Sequence, residues 1–497
     1  MKLIFLISAL VSSIDASKIL FVGFSNSKSH LGSMLPLAQA LAKRGHDVTM
    51  YVEALRDLGE LGGGVKHHYI KLQNTQDLSN NIFMDIVWNQ EFLPEQMVPP
   101  YTMGSDALAE AVEQDSFWQI ANQTWDLIVS DEVFTPTGWG LGMLHKKRDG
   151  TPHAAFSTTD TLQTLTTMLA LSRHPTNAPS YYTPHHPFAW HTKYFMDRVS
   201  SVRHAAVEYI SVGIIAEWVS RGAIELMGYS DFSWSKYYQD VSMVLIDYPD
   251  RFAWPVTQGS DTVYTGSFCR GSKPLPDDLE RFVSDPASKG TIYLAFGSVV
   301  QWDFAPRRIV NAFVEAVNHL TDYRIIWSYK GKSLNVKSHV RLMEWAPQND
   351  LLNHPKTKLF ISHGGLKSVK EAICSETPVV YMPFFAEQTK SALVAKQLGF
   401  AEYLNKMTFG AQEVIDQSTK VLNDEQYQKN IIQIKSLFID RIMDQLDEGV
   451  FWTEKVIRYR ERPVFFRRAG MLLYWCQLLY LDAFALLLCA LYLFSGK

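Results

Sequence analysis

The sequence predicts an α/β protein made of two halves, each built on a parallel sheet, and two patterns support this class. Short apolar runs alternate with helical patterns both in the first half of the chain and in the second. Residues 254–288, which are rich in Pro, Gly and Ser, separate the two halves and are typical of a linker. Ligands of open parallel sheets bind at the carboxyl ends of the strands, so the sequence predicts a site in a cleft between the halves.

The first half, residues 18–253, opens with an apolar run over 18–24 that predicts a strand. A helical pattern follows from about Gly32 to Arg44, then a second strand after Asp47 and another over 126–131. Residues 160–245 are rich in aromatic residues and histidine without a clear period, and they predict irregular helices around a pocket.

The second half, residues 289–465, repeats the alternation of strands and helices. A helical pattern begins at about Pro306, and further helical patterns follow the later strands. The predicted strands are 290–297, 323–327, 358–362 and 378–382. The sequence therefore predicts a second parallel sheet.

Length and composition limit the function further. The 497 residues allow roughly two to four domains, and 47% hydrophobic residues exclude a disordered chain. The 47 basic residues against 51 acidic ones leave no cationic surface, so nucleic acid is not an expected partner. The four cysteines are Cys269, Cys374, Cys476 and Cys489. They lie far apart without a CxxC pair, so neither a disulfide framework nor a zinc site is expected.

The amino terminus has the pattern of a secretory signal peptide over residues 1–17. Lys2 precedes an apolar run from Leu3 to Val11, and small residues follow it. A buried first strand is the alternative, although residues 19–23 already supply that strand. Cleavage would place the body of the protein in the lumen, where Asn122 is a candidate glycan acceptor.

The carboxyl terminus, residues 471–494, is almost wholly apolar. A helix of this length would extend about 36 Å, enough to cross a hydrocarbon core of about 30 Å. Gln477 and Asp482 interrupt the run, so a buried terminal helix remains the alternative. With the leader, this run predicts a single-pass type I membrane protein with a lumenal body.

The densest group of polar residues follows the strand that ends at Ser362. Two glycines precede a helical pattern there, so free backbone amides and the positive end of the helix dipole are available to a phosphate. A structural helix start with glycines for packing is the alternative. The residues expected to contact phosphate or ribose are His363, Gly365, Lys367, Ser368 and Glu371.

Polar and aromatic residues flank this group on both sides. Trp345 and Gln348 lie upstream and suit stacking on, and hydrogen bonding to, a nucleobase. Glu387 and Gln388 follow the next strand downstream and suit sugar hydroxyls. Base, phosphate and sugar contacts in this order predict a nucleotide-sugar site.

These motifs resemble the donor signature of the UDP-glycosyltransferases, the UDP-glucuronosyltransferase superfamily, and in particular its invertebrate type. The motifs are Trp345-Ala-Pro-Gln348, His363-Gly-Gly-Leu-Lys-Ser-Val-Lys-Glu371 and Glu387-Gln388. The resemblance implies a GT-B fold, with two Rossmann-like domains facing across a cleft, and transfer with inversion at the anomeric carbon. It also implies that Gly297 and Ser298 form a phosphate loop, and that the enzyme resides in the endoplasmic reticulum membrane.

The resemblance also implies a catalytic pair in the first half. His30, in the loop after the first strand, corresponds to the family's base, and Asp131 corresponds to its orienting carboxylate. A neutral imidazole can take a proton from the acceptor hydroxyl while a buried carboxylate fixes its tautomer. An ordinary loop histidine is the alternative for His30 alone.

No metal ion or other cofactor is expected, and the UDP-sugar is a co-substrate. The chain has no Asp-x-Asp motif, which metal-dependent nucleotide-sugar transferases use to hold a divalent ion. His185, His186 and His191 lie in a Pro- and aromatic-rich loop without a carboxylate or cysteine alongside. They favour a solvated or acceptor-pocket cluster over a metal site.

Several positions depart from the family pattern and bear on the donor sugar. Lys367 and Ser391 stand where many members have Asn, and Glu387 stands where many have Asp. Asp247 aligns with an arginine of glucuronate-using members, so repulsion between like charges favours UDP-glucose or another neutral sugar. Arg251 could replace the missing cation.

The predicted function is that of a membrane-anchored inverting UDP-glycosyltransferase. It would move glucuronic acid or glucose to a hydroxyl of a small lipophilic acceptor, as in conjugation or detoxification. Two alternatives stay open: a catalytically silent UDP-sugar-binding partner protein, and a transferase acting on a membrane lipid. A homo-oligomer is compatible with the sequence.

Overall fold

Two parallel β-sheets organise the computed structural model, which describes residues 16–57, 59–74, 81–171, 173–183, 190–460 and 468–495. The first sheet has seven described strands in the order β3-β2-β1-β4-β5-β6-β7, and every neighbouring pair is parallel. These strands are β1 (Lys18–Val22), β2 (Asp47–Ala54), β3 (Lys66–Lys71), β4 (Leu127–Asp131), β5 (His153–Ser157), β6 (Val244–Ile246) and β7 (Thr262–Tyr264).

The second sheet repeats this plan with six described strands in the order β10-β9-β8-β11-β12-β13, again all parallel. They are β8 (Thr291–Ala295), β9 (Arg324–Ser328), β10 (Val340–Met343), β11 (Thr357–Ser362), β12 (Val379–Tyr381) and β13 (Ala401–Tyr403). In both sheets the strand order reverses beside the first strand. Doubly wound sheets bind their ligands at this switch point.

Helices cover both faces of each sheet. Those of the first half are α1 (Lys28–Lys43), α2 (Asn81–Asn89), α3 (Val98–Ala111), α4 (Asp115–Ala121), α5 (Pro136–Asp149), α6 (Gln163–Met168), α7 (Phe195–Glu208), α8 (Glu217–Glu225) and α9 (Trp234–Asp240). Those that follow are α10 (Asp277–Val283), α11 (Arg307–His319), α12 (Gln348–Leu352), α13 (Leu366–Ser375), α14 (Gln388–Gln397), α15 (Ala411–Asn423), α16 (Glu425–Ile439), α17 (Gln445–Tyr459), α18 (Trp475–Leu478) and α19 (Leu481–Phe494).

The core of each half lies on both faces of its sheet, as expected for strands that alternate their side chains. Leu20 of β1 joins the buried cluster on one face, whereas Phe21 joins the cluster on the other. In β8, Leu294 and Tyr293 separate in the same way. Burial on both faces explains why these strands are continuous apolar runs in the sequence.

The two halves exchange helices at their interface. Helix α2 packs into the core of the second half, where Trp88 is fully buried and its Nε1 donates to the Gln301 carbonyl at 3.0 Å. Helix α17 returns to the first half, where Glu454 accepts at 3.1 Å from Nε of Arg44, the residue after α1. The predicted linker 254–288 also supplies β7 and α10. The domain limits themselves stay a prediction.

The start of α1 differs from the prediction, and the irregular region can now be described. Helix α1 begins at Lys28, before the expected Gly32, because the Ser27 hydroxyl caps it by accepting from the His30 amide at 3.4 Å. His30 therefore lies in the first turn of a helix. The irregular region 160–245 contains α6 to α9, with the π-helical stretch Tyr209–Ala216 between α7 and α8.

The sequence predicts no disulfide framework, but the structure has a disulfide bond. Cys269, in the predicted linker, bonds to Cys374 near the end of α13, and their Cα atoms are 5.4 Å apart. The two residues are 105 positions apart in the sequence. Only the folding of the linker against α13 brings them together, so their sequence spacing gave no sign of the bond.

The prediction of one continuous helix over 471–494 is also wrong. The segment contains the 3₁₀ turn Ala469–Leu472, then α18 and α19. Tyr480 separates the last two, because its left-handed backbone (φ 57°) does not continue a helix. Among the described residues, no helix has both the length and the apolar character that a membrane crossing requires. The predicted signal peptide lies outside the described residues except for Ala16 and Ser17.

Candidate active site

His30 and Asp131 meet at the carboxyl edge of the first sheet. His30 Nδ1 lies 2.7 Å from Asp131 Oδ2, and the Asp131 side chain is fully buried. The Thr158 hydroxyl donates to Asp131 Oδ1 at 3.0 Å, and its oxygen lies 2.8 Å from His30 Nδ1. We call these three residues the base triad. The predicted pairing of His30 with Asp131 is present, and Thr158 completes it.

The sheet topology brings the base triad together. β1, β4 and β5 are consecutive in the sheet, so the segments that follow them converge at one edge. Asp131 is the last residue of β4, and Thr158 directly follows β5. The ring of Phe24 packs edge-on to the His30 imidazole, with ring centroids 5.4 Å apart. The Phe134 ring also lies near it, with ring centroids 6.2 Å apart. The imidazole is therefore held by two polar groups and two aromatic rings.

Glu387, from the second half, faces this triad across the cleft. It is buried, and its Oε1 accepts from the Leu366 amide at 3.2 Å. Burial raises the pKa of Glu387, and the nearby His30 partly offsets that rise. Gln388 begins α14 and its Oε1 accepts from the Phe384 amide at 2.9 Å, so it holds the loop after β12.

The donor loop, which we define as Gly297, Ser298 and residues 363–365, lies where β8 and β11 end. A side chain at Gly297 or Gly365 would clash with the His363 imidazole, and Gly297 also has a left-handed backbone (φ 72°). Burial lowers the pKa of His363 to about 4, so its ring is neutral at pH 7. Its Nδ1 is buried without a hydrogen-bond partner among the described residues. Ser298 is exposed beside it.

The predicted ribose and base residues form a second polar group at the start of α12 and α13. Gln348 Nε2 donates to Glu371 Oε2 at 2.5 Å and to Ser368 Oγ at 3.0 Å. Burial raises the pKa of Glu371, and the hydrogen bond from Gln348 opposes this. The Trp345 side chain, in contrast, is 74% exposed and available for stacking. The structure thus brings Gln348, Ser368 and Glu371 together, and Trp345 lies three residues before Gln348.

A pocket between α1 and α13 adjoins this group. The empty volume of this pocket, with its open mouth included, is about 420 Å³. A second pocket, near Arg173, has an empty volume of about 490 Å³. In the first of these pockets, Glu371 lines the wall together with three cations, Lys367, Lys370 and Arg270. Burial lowers the pKa of Lys367 to about 8. The sequence prediction included Lys367 and missed the other two cations.

The argument that Asp247 repels an acidic sugar is wrong. Its carboxylate lies 2.7 Å from Lys370 Nζ, and both side chains are almost completely buried. An ion pair of this kind presents little net charge to a ligand. Arg251 is exposed in the 3₁₀ turn Asp250–Phe252. Asp247 therefore gives no argument for one donor sugar over the other, and the choice stays a prediction.

Sequence reasoning missed Thr158 and a buried ion-pair network formed by Asp160, Arg173 and Lys390. Thr158 and Asp160 come one and three residues after the apolar strand β5, which ends at Ser157. This strand lies beside β4, which carries Asp131. Polar residues at the end of that neighbouring strand were the available signal. Arg173, 13 residues after Asp160, lies in the region without a clear period, and Lys390 is 230 residues away, so neither residue gave a signal.

Metal ligation finds no support in the described part of the chain, where no group of three or more His, Cys, Asp or Glu residues could hold an ion. His191 is exposed there, and its backbone amide donates to Asp197 at 2.7 Å. His185 and His186 lie outside the described residues.

Two facing Rossmann-like sheets with this cleft define a GT-B glycosyltransferase. Solved structures share the fold: UDP-glucose: anthocyanidin 3-O-glucosyltransferase in complex with UDP matches with TM-score 0.59 and 16% identity, covering 90% of this chain and 99% of that one. Spinosyn forosaminyltransferase SpnP matches with TM-score 0.59 and 17% identity, over 89% and 99%.

The chain belongs to the family described as UDP-glucoronosyl and UDP-glucosyl transferase, whose model matches residues 18–495. It is 33% identical over 266 residues to UDP-glucuronosyltransferase 2B13 of Oryctolagus cuniculus, covering 53% of this chain and 48% of that protein. It is 33% identical over 223 residues to UDP-glucosyltransferase 2 of Dactylopius coccus, covering 45% and 43%. The chain thus matches about half the length of these relatives. The family predicted from the motifs is confirmed.

Proposed function

We propose that this chain is an inverting UDP-glycosyltransferase that moves glucuronic acid or glucose from UDP to a hydroxyl of a small lipophilic acceptor. The observation that carries the proposal is the His30–Asp131 contact of 2.7 Å, placed in the cleft opposite Glu387. Family membership and the names of the relatives support the same class of reaction.

The base triad suits proton removal from an acceptor hydroxyl. Asp131 and Thr158 both contact His30 Nδ1, so the Nδ1–H tautomer is favoured and Nε2 is the nitrogen that can take the proton. As the imidazole becomes positive, the buried Asp131 carboxylate stabilises it. The acceptor oxygen then attacks the anomeric carbon from the face opposite UDP, the bond to UDP breaks, and the configuration inverts.

The second half suits the departing UDP. Trp345 would stack on the uracil, and Glu371, oriented by Gln348, would accept hydrogen bonds from the ribose hydroxyls. The amides at the start of α13 and the neutral His363 would donate to the pyrophosphate, with Lys367 supplying positive charge. Glu387 would accept from sugar hydroxyls. These groups together offset the negative charge that develops on the leaving group.

We further propose association with the endoplasmic reticulum membrane. The leader pattern of residues 1–17 and the apolar helix α19 support this. In α19 the leucine side chains are exposed rather than packed; Leu486 and Leu493, for example, are 72% and 76% exposed. Contiguous exposed apolar surface of this kind is typical of a contact with lipid or protein.

The test is an assay of the purified chain with UDP-glucose and UDP-glucuronate as donors and a panel of phenols and steroids as acceptors. We expect a glycoside product whose anomeric configuration, read by NMR coupling constants, is opposite to that of the donor. UDP binding by calorimetry without any product would instead support the silent partner protein. Product formed only with lipid acceptors would support the membrane-lipid transferase.

A further inference from the structure

Three charged side chains cross the cleft close to the base triad. Asp160 follows β5 two residues after Thr158, and Lys390 lies on α14 three residues after Glu387. Asp160 Oδ1 lies 3.3 Å from an Arg173 guanidinium nitrogen, and its Oδ2 forms an ion pair with Lys390. All three side chains are at least nine-tenths buried, with 5%, 9% and 3% of their surface exposed for Asp160, Arg173 and Lys390.

This cluster has more positive than negative charge. Burial alone would raise the pKa of Asp160, but Lys390 and Arg173 outweigh it and hold that pKa below its usual value. One carboxylate is thus shared by two cations. Burial raises the pKa of each surrounding carboxyl group, and to about 8 in Glu132, so Glu132 does not offset this excess at pH 7. These groups are Glu132, Glu208 and Glu387.

Four buried hydrogen-bond donors of one pocket, including the Tyr182 hydroxyl, lack an acceptor among the described residues. The three that concern the cluster are Arg173 Nε, the Thr161 hydroxyl and the Tyr181 hydroxyl. All three residues line one pocket, with an empty volume of about 490 Å³ including its mouth. Asp160 and Lys390 line the same pocket. Buried donors that lack an acceptor are costly, and a ligand that supplies acceptor atoms removes the cost.

We propose that Arg173, Thr161 and Tyr181 form a subsite for a carboxylate of the substrate. A carboxylate supplies two acceptor oxygens and the negative charge that the two cations lack. The donor that Arg173 offers it is Nε, because Nη1 donates to the Thr161 carbonyl at 2.5 Å and Nη2 to Asp160 Oδ1 at 3.3 Å. The subsite is connected to the proposed reaction centre through Asp160, two residues after Thr158, and through Lys390, three residues after Glu387. This inference rests on the proposed function.

The carboxylate has two sources, and paired substrates distinguish them. In the donor arm, UDP-glucuronate is compared with UDP-glucose, using one neutral phenol as acceptor. In the acceptor arm, an aromatic acid that carries a phenolic hydroxyl is compared with its methyl ester, using UDP-glucose as donor. The readout in each arm is the ratio of kcat/KM for the carboxylate over kcat/KM for its neutral counterpart.

The decisive variant is Arg173→Gln, which removes the charge and keeps a polar side chain of similar reach. We expect the ratio to fall roughly ten- to hundredfold in one arm, the arm that identifies the source. Tyr181→Phe removes only a hydroxyl and should lower the same ratio several-fold. The matched control is Arg441→Gln, since Arg441 is also 9% exposed and ion-paired, with Asp250, but does not line the pocket. Its ratios should match the wild type.

Two results would overturn the subsite. One is a wild-type enzyme without preference for the carboxylate in either arm, and the other is an Arg173→Gln variant that keeps the preference. If Arg173→Gln fails to fold, as judged by its melting temperature, Tyr181→Phe decides by the same ratio. Absence of transfer from every donor in the wild type would contradict the proposed function instead. In that case calorimetric affinities for UDP-glucuronate and UDP-glucose, in wild type and Tyr181→Phe, and for the aromatic acid and its ester, still test the subsite.

Discussion

The base triad of the first half and the predicted nucleotide site of the second half differ in how far their polar groups are already satisfied. On the first-half side, His30 Nδ1 has contacts with both Asp131 and Thr158, and the Asp131 carboxylate is fully buried. On the second-half side, Trp345 is 74% exposed and His363 Nδ1 has no partner among the described residues. The difference teaches that the base is fixed before substrate binds, whereas the donor side gains contacts from the nucleotide. Changes to the base triad should lower the rate of sugar transfer. Changes to the nucleotide site should weaken the affinity for UDP.

The largest effect should come from His30→Ala. Removal of a general base typically lowers the rate by ~10²–10⁴. Because the imidazole acts on the acceptor, the affinity for UDP should stay within about threefold. Single-turnover rates and UDP calorimetry on the same preparation measure both. His319→Ala, at the exposed end of α11, is the control. Transfer at more than half the wild-type rate would remove His30 from the role of base.

A second, smaller effect should come from Glu371→Ala on the donor side. Loss of hydrogen bonds to a charged group should weaken UDP binding by roughly 1.5–3 kcal/mol. Gln348 would lose its partner at 2.5 Å, so Gln348→Ala added to Glu371→Ala should cost less than the sum of the two single changes. Calorimetry with UDP on the double-mutant cycle tests this. Simple additivity would mean that Gln348 does not orient Glu371.

Trp345→Ala should weaken UDP binding by ~1–3 kcal/mol through lost stacking. Its side chain is 74% exposed, so the melting temperature should hardly change. Trp218→Ala, on α8 and also 74% exposed, is a matched control that should leave UDP affinity unchanged. Equal UDP affinities in the Trp345 and Trp218 variants would mean that the uracil binds elsewhere.

Lys406 tests how the two sides are held together. Its Nζ donates to the Val87 carbonyl on α2 at 2.8 Å and to the Phe384 carbonyl of the second half at 2.9 Å. Burial lowers the pKa of Lys406 from 10.5 to about 7. Between those pH values the unfolded chain binds the extra proton, so wild-type stability should rise with pH. The expected gain over Lys406→Met is about 1.4 kcal/mol per pH unit.

Urea unfolding at pH 7.5 and 9.0 measures that gain. Lys429→Met is the control, because Lys429 is 65% exposed and its replacement should shift stability equally at both pH values. A difference between wild type and Lys406→Met that stays constant over this range would show that the buried amine keeps its charge.

The smallest effect should come from EDTA. If α13, His363 and Lys367 offset the charge of the leaving pyrophosphate, a chelator should leave most transfer activity intact. Complete loss, restored by added manganese or magnesium, would mean that the donor side is incomplete without a metal ion.

The sequence was sufficient for the fold class and for much of the candidate site. The apolar runs of β1, β4, β8 and β11 could be read because strands buried on both faces are continuously apolar. His30 and Asp131 could be assigned only through the resemblance to a family. Their side chains nevertheless meet, because His30 comes after β1, Asp131 ends β4, and these two parallel strands are neighbours in the sheet.

The tertiary structure decided everything that depends on residues far apart in the chain. The Cys269–Cys374 bond, the Asp247–Lys370 ion pair and the Asp160–Lys390 ion pair each join segments more than 100 residues apart. No local period records such a contact, since helical and strand patterns report only which face of one element is buried. The sequence therefore determined which side chains stand at the ends of the strands, and tertiary packing determined which of them are neutralised and which retain capacity for a ligand.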